Sequence, residues 1–512
     1  MKCFAAIDVG SYEVAMKIFE ISTGRGIKQI DHIRHRIELG TDTYHTGKVS
    51  PARMDELCDV LSEFEKIMKS YKVDAYKAYG TSAIRETDNT TVVLEQIKLR
   101  TGIRVDVLSN SEQRFMHYKA VASKGNIFDE MMKKSCAIVD IGGGSIQISL
   151  FEKDALVTTQ NIRLGVLRVK DMLSSLQAKT INYVQLLGEL IDNQLESFRS
   201  LYLGDRKICN IIVVDDYISR AMSAIKIKDN IVSYNEFKRL IGTYRSKSTE
   251  YIASAMGLDE ESAVLLPQSI VLLAKIADMM NASTLWVPGV SLSDGIAYEY
   301  AENNKLLSVS HDFEDDIMAA AEVLCKRYGG NIERNRLVEK VALSIYDDTR
   351  KIHKMGKRER LLLRIASILA DCGKYISLEA AAECGYEIIM ATEMIGLSHT
   401  EREIIANVVR YNKVAFIYYK DRSANTLLDK DAYLIVAKLT AIFRVADGIC
   451  RSYRVKLKGI KTSIKEGEFL ITIDSDEDFD LEKGFFYRKS DLFEEVFALK
   501  PVIRNRKIIN AL

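Results

Sequence analysis

The chain's 512 residues carry 72 Lys and Arg against 71 Asp and Glu, a net charge of +1, so no global field draws polyanions or nucleic acid and any anion site must be local. Eight scattered Cys with no C-x-x-C pair, and only four Pro, suit a reduced cytoplasmic protein rather than a disulfide scaffold or a zinc module. Met1-Lys2-Cys3-Phe4 runs straight into a strand and leaves no room for a signal peptide. No apolar run reaches about 18 residues, so no membrane span is expected.

Ala5-Ala6-Ile7-Asp8-Val9-Gly10-Ser11 reads as a buried strand ending in Asp-x-Gly and a hydroxyl residue, and Glu13 to Ile18 as an alternating second strand. Ile27 to Leu39 alternates loosely as a third. Ser50-Pro51 is a helix start, with Ser as N-cap and Pro at the first helical position. Met54, Leu57, Leu61, Phe64 and Met68 then make one apolar face. Val73 to Tyr79 is a strand, Thr91 to Arg100 a helix, Ile103 to Leu108 a strand, and a helix runs from Glu112.

The opening then recurs. Ala137-Ile138-Val139-Asp140-Ile141-Gly142-Gly143-Gly144-Ser145 repeats the apolar run, the Asp-x-Gly and the hydroxyl, and Gln147 to Leu150 the second strand. Strands are expected near 135–142, 146–153 and 155–162, with a helix carrying Tyr183, Leu187, Leu190, Leu195 and Phe198. Ile208 to Val214 and Ser283 to Val287 complete a second mixed-sheet α/β set. From about Asp312 the texture is helical, with cores at Leu361 to Leu369, Glu401 to Val409 and Leu434 to Phe443. Alternation returns at Gly459 to Ile464 and Phe469 to Ile473, and the acidic run Asp474 to Asp480 reads as a solvated turn.

Glycine lets a backbone turn tightly and aim N–H groups at an anion, and an Asp at the turn can hold a divalent cation or a water. One such turn is an ordinary hairpin; two facing copies would clamp a phosphate chain with its metal.

With these loops, Tyr79-Gly80-Thr81-Ser82-Ala83-Ile84-Arg85-Glu86 and Val107-Leu108-Ser109-Asn110-Ser111-Glu112-Gln113 fall into an order that resembles the Ppx/GppA family of exopolyphosphatases and guanosine pentaphosphate phosphohydrolases. The resemblance covers essentially the whole chain. It implies an α/β fold, the duplicated actin-like (ribonuclease H-like) ATPase superfold, at about 1–125 and 126–305. An all-helical HD-like domain at 310–450 and a small α/β tail at 451–512 follow. It implies that Gly10, Ser11, Thr81, Arg85, Gly142, Gly143, Gly144 and Ser145 bind terminal phosphates, and that Asp8 and Asp140 lie near an essential magnesium. The ligand would be inorganic polyphosphate or a guanosine polyphosphate. A homodimer burying the helical region is one arrangement the family suggests. The phosphate site should be locally positive, with Arg85 its main charge.

The departures are chemical. Gln113 stands on the family's water-activating glutamate, and Gln147 on a second glutamate near the water; Glu112, one residue earlier, is the alternative base. Adjacent helical side chains point about 100° apart, which favours Gln113 for the position. An amide keeps a carboxylate's shape but cannot take a proton, and a general base is worth roughly 10²–10⁴ in rate. Tyr12 replaces an Asn, and Asp215-Asp216-Tyr217-Ile218 replaces a glycine-rich turn, which also argues against an ATP-dependent kinase. In the helical region Ala370-Asp371 stands for His-Asp, and Ala381, Cys384 and Asn412 for further His, leaving His353 and Asp371. Asp371 is therefore expected at a helix end or on the surface. Two readings stay open: a weak magnesium-dependent terminal-phosphate hydrolase, and a catalytically inactive sensor of polyphosphate or guanosine polyphosphates.

Overall fold

A computed structural model describes residues 1–152, 155–177, 183–258, 260–307, 311–421, 426, 428–450, 459–474 and 479–506. Residues 475–478 of the acidic run lie outside the described residues. The chain divides into two compact units, Met1–Asp312 and Phe313–Leu512.

The first unit holds two sheets. In one, β1 (Lys2–Val9), β2 (Glu13–Ser22), β3 (Gly26–Arg36), β4 (Ala75–Gly80) and β5 (Val105–Val107) take the order β3-β2-β1-β4-β5. In the other, β6 (Cys136–Ile141), β7 (Ile146–Glu152), β8 (Ala155–Ile162), β9 (Asn210–Val214), β10 (Ile231–Ser233) and β11 (Thr284–Trp286) take the order β10-β11-β9-β6-β7-β8. From β1 and from β6 the pattern is the same: an antiparallel meander on one side (β2, β3; β7, β8) and parallel strands on the other (β4, β5; β9, β11). The duplicated sequence is a duplicated topology. The second copy adds antiparallel β10, a three-residue edge strand with too little alternation to be read from sequence.

Period-two alternation decides which way β1 faces. Ala5, Ile7 and Val9 pack with Leu57, Leu61 and Phe64 of the helix Pro51–Ser70, whose Ser50 side chain caps the Arg53 N–H. Phe4 and Ala6 face the other way, onto Leu292, Ile296 and Ala297 of the helix Leu292–Asn303. That helix follows the second sheet in sequence yet packs on the first. Its crossing with the helix Asn110–Ala122 needs Gly295, where a Cβ would fall 2.0 Å from the Met116 carbonyl oxygen.

The helix Glu260–Met280 bears on the expectation of no membrane span. Its segment Ala263–Met280, with mean hydropathy 1.6, is long and apolar enough by length and composition to cross a membrane. Its Leu265, Leu266, Ile270, Leu272 and Leu273 instead form the core beside the second sheet, so the apolarity is that of a buried core helix.

In the second unit the helices Ile332–Asp348, Lys357–Ile368, Ala381–Ala391, His399–Tyr411 and Lys430–Ile449 precede a three-stranded sheet of β12 (Gly459–Lys465), β13 (Glu468–Asp474) and β14 (Lys500–Arg506). Charges are buried among the helices. Arg334, 4% exposed, bonds Asp447 at 2.5 Å and Asp371 at 3.4 Å; Lys489 bonds Asp447 at 2.5 Å. Lys374 and Lys413 approach Asp371 at 2.7 and 3.9 Å. Asp371 is thus buried in an ion network and not on the surface; it does stand at a helix end, the N-cap position of the 3-10 turn Cys372–Tyr375, but its side chain makes no cap hydrogen bond. His353 is buried too: its Nε2 lies 2.8 Å from the Tyr346 carbonyl, and its Nδ1 accepts the Met355 N–H at 2.9 Å.

Candidate functional site

Both Asp-x-Gly turns close in the same way. Gly10 N–H donates to the Glu13 carbonyl at 3.0 Å, and Gly142 N–H to that of Ser145 at 2.9 Å. A Cβ on Gly10 would lie 2.7 Å from the Glu13 oxygen, so the tight hairpin requires glycine there. These two N–H groups are therefore engaged in shaping the loops. The loops face each other: a Cβ on Gly143 would stand 3.3 Å from Ser11 Cβ. They enclose a cleft of about 120 Å³ at the carboxyl ends of β1, β4, β6 and β9, where ligands bind in open α/β sheets.

Asp8, Gly10, Ser11, Thr81, Gln113, Asp140, Gly142 and Gly143 all line this cleft. Gly144, Ser145, Arg85, Glu112 and Gln147 lie outside its lining. Gly144 backs the loop: its carbonyl accepts from Arg168 Nε at 2.7 Å, and a Cβ there would fall 2.2 Å from the Tyr44 oxygen. Arg168 also pairs with Glu86 and stacks 4.1 Å over Tyr44, whose hydroxyl lies 2.9 Å from Ser11 Oγ.

Gln113 and Glu112 separate as helical geometry demands. Glu112 turns back to cap its own helix, accepting the Ser109 N–H at 2.9 Å while Ser109 Oγ accepts the Glu112 N–H at 3.2 Å. Gln113 projects into the cleft, its Oε1 3.4 Å from Arg85 Nη1. Arg85 also donates to the Leu108 carbonyl at 2.7 Å, so it braces the Gln113 segment from behind. Gln147, 2% exposed, is the ladder partner of Asp140, and its Oε1 has no hydrogen-bond partner among the described residues.

Two participants went unread in the sequence. His117 lies one helical turn after Gln113, on the same face, and its Nδ1 is 2.5 Å from Asp140 Oδ2, both residues buried. The i, i+4 spacing from Gln113 is the signal that could have found it. Burial works to lower the His117 pKa, but the charge and hydrogen bond of Asp140 more than offset this and hold it above its ordinary value. Asp215 and Asp216 are the other pair. Rather than a missing glycine turn, they start the helix Asp216–Ile225, with Asp215 Oδ1 accepting the Ile218 N–H at 2.7 Å.

The expectation of a locally positive site fails. The lining carries the carboxylates of Asp8, Glu13, Asp140, Asp215 and Asp216 against the single imidazole of His117. Cations approach from behind the lining: Arg220 and Arg34 pair with Glu13 at 3.4 and 4.0 Å, while Lys17 pairs with Asp294 at 2.7 Å. Burial, and then the charge of Asp216, push the Asp8 carboxyl up to about 7. Burial likewise pushes Asp215 up to about 7. Among the described residues no three His, Cys, Asp or Glu side chains are grouped to hold a metal.

Comparison with known proteins agrees with this architecture. A model described as the Ppx/GppA phosphatase family matches residues 17–304, and one described as Ppx/GppA phosphatase, domain III, matches 318–490. A guanosine-5'-triphosphate,3'-diphosphate pyrophosphatase of Photobacterium profundum is 20% identical over 409 residues, 80% of each chain. Another, of Aliivibrio fischeri, is 19% identical over 465 residues, 86% of each. The crystal structure of an exopolyphosphatase from Cytophaga hutchinsonii superposes with a TM-score of 0.51 at 20% identity, covering 60% of this chain and all of that one. The two matched models together span most of the sequence, and the chain belongs to the Ppx/GppA phosphatase family.

Proposed function

We propose that the cleft between the two sheets binds the terminal phosphates of inorganic polyphosphate or of guanosine pentaphosphate, and that their hydrolysis is slow. The observation that carries this is Gln113. An amide projects into the cleft where the family's resemblance places a base, while the neighbouring carboxylate of Glu112 is engaged in its helix cap. Ser11, Thr81 and the Gly143 backbone supply polar groups for phosphate oxygens, with Arg85 bracing the wall. Gln113 holds water by a hydrogen bond but leaves its proton in place, which costs roughly 10²–10⁴ in rate. The names of the Photobacterium and Cytophaga proteins support the two substrate classes.

Magnesium is the cofactor the resemblance implies. Asp8 fits it: its Oδ1 is out of contact with water and has no hydrogen-bond partner among the described residues. Asp140 fits less well, because His117 already takes one of its oxygens. When bound, a divalent ion neutralises phosphate charge and orients the chain.

Around this site we place the two α/β halves at about 1–125 and 126–305, an HD-like helical scaffold without its metal set at about 310–450, and a small α/β tail beyond. The protein works in the cytoplasm, with a homodimer through the helical region as an arrangement to test. An inactive sensor is the second reading, and the same Gln113 favours it. Calorimetric titration with polyphosphate, run beside phosphate release with magnesium, tests both: tight binding with slow release is expected, and failure to bind removes the proposal.

A further inference from the structure

In an acidic cleft every donor that faces an anion counts, and Ser11 is one of them. Its Oγ makes a single hydrogen bond among the described residues, to the Tyr44 hydroxyl at 2.9 Å. Each hydroxyl carries one proton, so the direction of that bond decides what a phosphate meets. If Ser11 donates, its proton is spent and the cleft faces oxygen lone pairs. If Tyr44 donates, the Ser11 O–H is left for the ligand.

Three observations favour Tyr44 as the donor. A phenol, with a pKa of about 10, is a stronger acid than an aliphatic alcohol and the better donor of the two. The Arg168 guanidinium stacks 4.1 Å over the Tyr44 ring and draws electron density from it. The Ser82 hydroxyl also bears on the Tyr44 oxygen, and its own oxygen already accepts from Arg85 Nη2 at 3.4 Å, a group that can only donate. The direction that serves every hydroxyl runs from Ser82 to Tyr44 to Ser11. It ends in the cleft, which Tyr44 itself does not line. The fold makes room for this arrangement. A Cβ on Gly40 would lie 2.8 Å from the Tyr44 ring and 3.0 Å from Ser11 Cβ, and the Gly40 N–H holds the Ser11 carbonyl at 2.7 Å. Arg168, paired with Glu86 and donating to the Gly144 carbonyl, ties Tyr44 to the second glycine loop.

We propose that Tyr44 is a positioning residue for the ligand: it donates to Ser11 Oγ and so aims the Ser11 O–H at a phosphate oxygen. This role rests on the phosphate-cleft reading above. Tyr44 acts through Ser11 rather than by contact with the ligand. The gain is a donor of fixed direction in a cleft whose charged groups are mostly carboxylates.

Calorimetric titration of the full chain with inorganic tripolyphosphate and magnesium tests this in a double-mutant cycle. Tyr44→Phe keeps the ring and its stack with Arg168 and removes only the hydroxyl, so the variant should fold. Affinity should fall about fivefold in Tyr44→Phe and about tenfold in Ser11→Ala. In the Ser11→Ala background Tyr44→Phe should cost less than about twofold, because the group it acts through is gone. Additive losses would mean that Tyr44 only supports the loop, and unchanged affinity in either single variant would mean that Ser11 is not an oriented donor. Each of these results overturns the proposal and leaves the cleft reading intact. Wild type that fails to bind tripolyphosphate removes the cleft reading and the role of Tyr44 with it.

Discussion

The chain buries charge in two places and treats it in opposite ways. In the cleft of Met1–Asp312, His117 pairs with Asp140 and Arg34 and Arg220 reach Glu13, while Asp8 Oδ1 and Asp215 Oδ2 are buried without a hydrogen-bond partner among the described residues. In Phe313–Leu512, Asp371 and Asp447 are surrounded by Arg334, Lys374, Lys413 and Lys489. Burial alone would raise the Asp447 pKa, but Lys489 and Arg334 hold it far below the usual carboxylate range. Asp8 goes the other way, up to about 7. A carboxylate cluster neutralised by its own cations is part of the scaffold; the cleft carboxylates are neutralised only in part. Asp371, the carboxylate a His-Asp metal pair would use, belongs to the first kind.

The comparison breaks most visibly if the second network is dispensable. Removing one partner of a buried ion pair leaves uncompensated charge and costs about 3–5 kcal/mol. Arg334→Leu in the full chain should therefore destabilise Phe313–Leu512 by that order in a denaturant titration. A loss too small to measure would mean that the lysines alone satisfy both carboxylates.

A smaller effect is expected at the cleft wall. Arg85→Ala removes the donor to Leu108 and Gln113 and, by loosening the wall that holds Gln113, should weaken polyphosphate binding by up to about tenfold. Unchanged affinity would confine Arg85 to holding the loop.

The smallest effect has the clearest sign. A raised carboxylate such as Asp8 contributes stability that is fully present below its ordinary pKa of about 4 and lost as pH rises through about 7. A depressed one such as Asp447 contributes stability present above about 4 and lost on acidification. Trp286, the chain's single tryptophan, is buried in the first unit and reports its unfolding. In chelator, its denaturation midpoint should fall as pH rises from 5 to 7, and Asp8→Asn should flatten that slope. A midpoint that rises over this range would deny the uncompensated charge.

The sequence showed the duplication because a loop motif and two strands recur in order, and these are local signals. The family resemblance put Gln113 on the water-side position, and helical spacing set Glu112 apart from it. The sequence hid what depends on distant partners. Arg334 meets Asp447 across more than a hundred residues, so Asp371 read as a surface acid. The short helix Leu39–Thr46, which carries Tyr44 to Ser11, has no side-chain cap and too few residues for a period. A lone His117 on a helix says nothing until Asp140 is seen beside it. The acidic character of the cleft was missed because Asp215-Asp216 looked only like an absent glycine turn.

The central claim is that Gln113 holds water at the cleft without activating it. Phosphate release from polyphosphate with magnesium, measured for wild type, Gln113→Glu and Glu112→Gln at matched polyphosphate saturation, tests it directly. Wild type should release phosphate slowly, Gln113→Glu about 10²-fold faster with affinity little changed, and Glu112→Gln with no loss beyond that of a weakened helix cap. Rapid release by wild type that Glu112→Gln abolishes would contradict it.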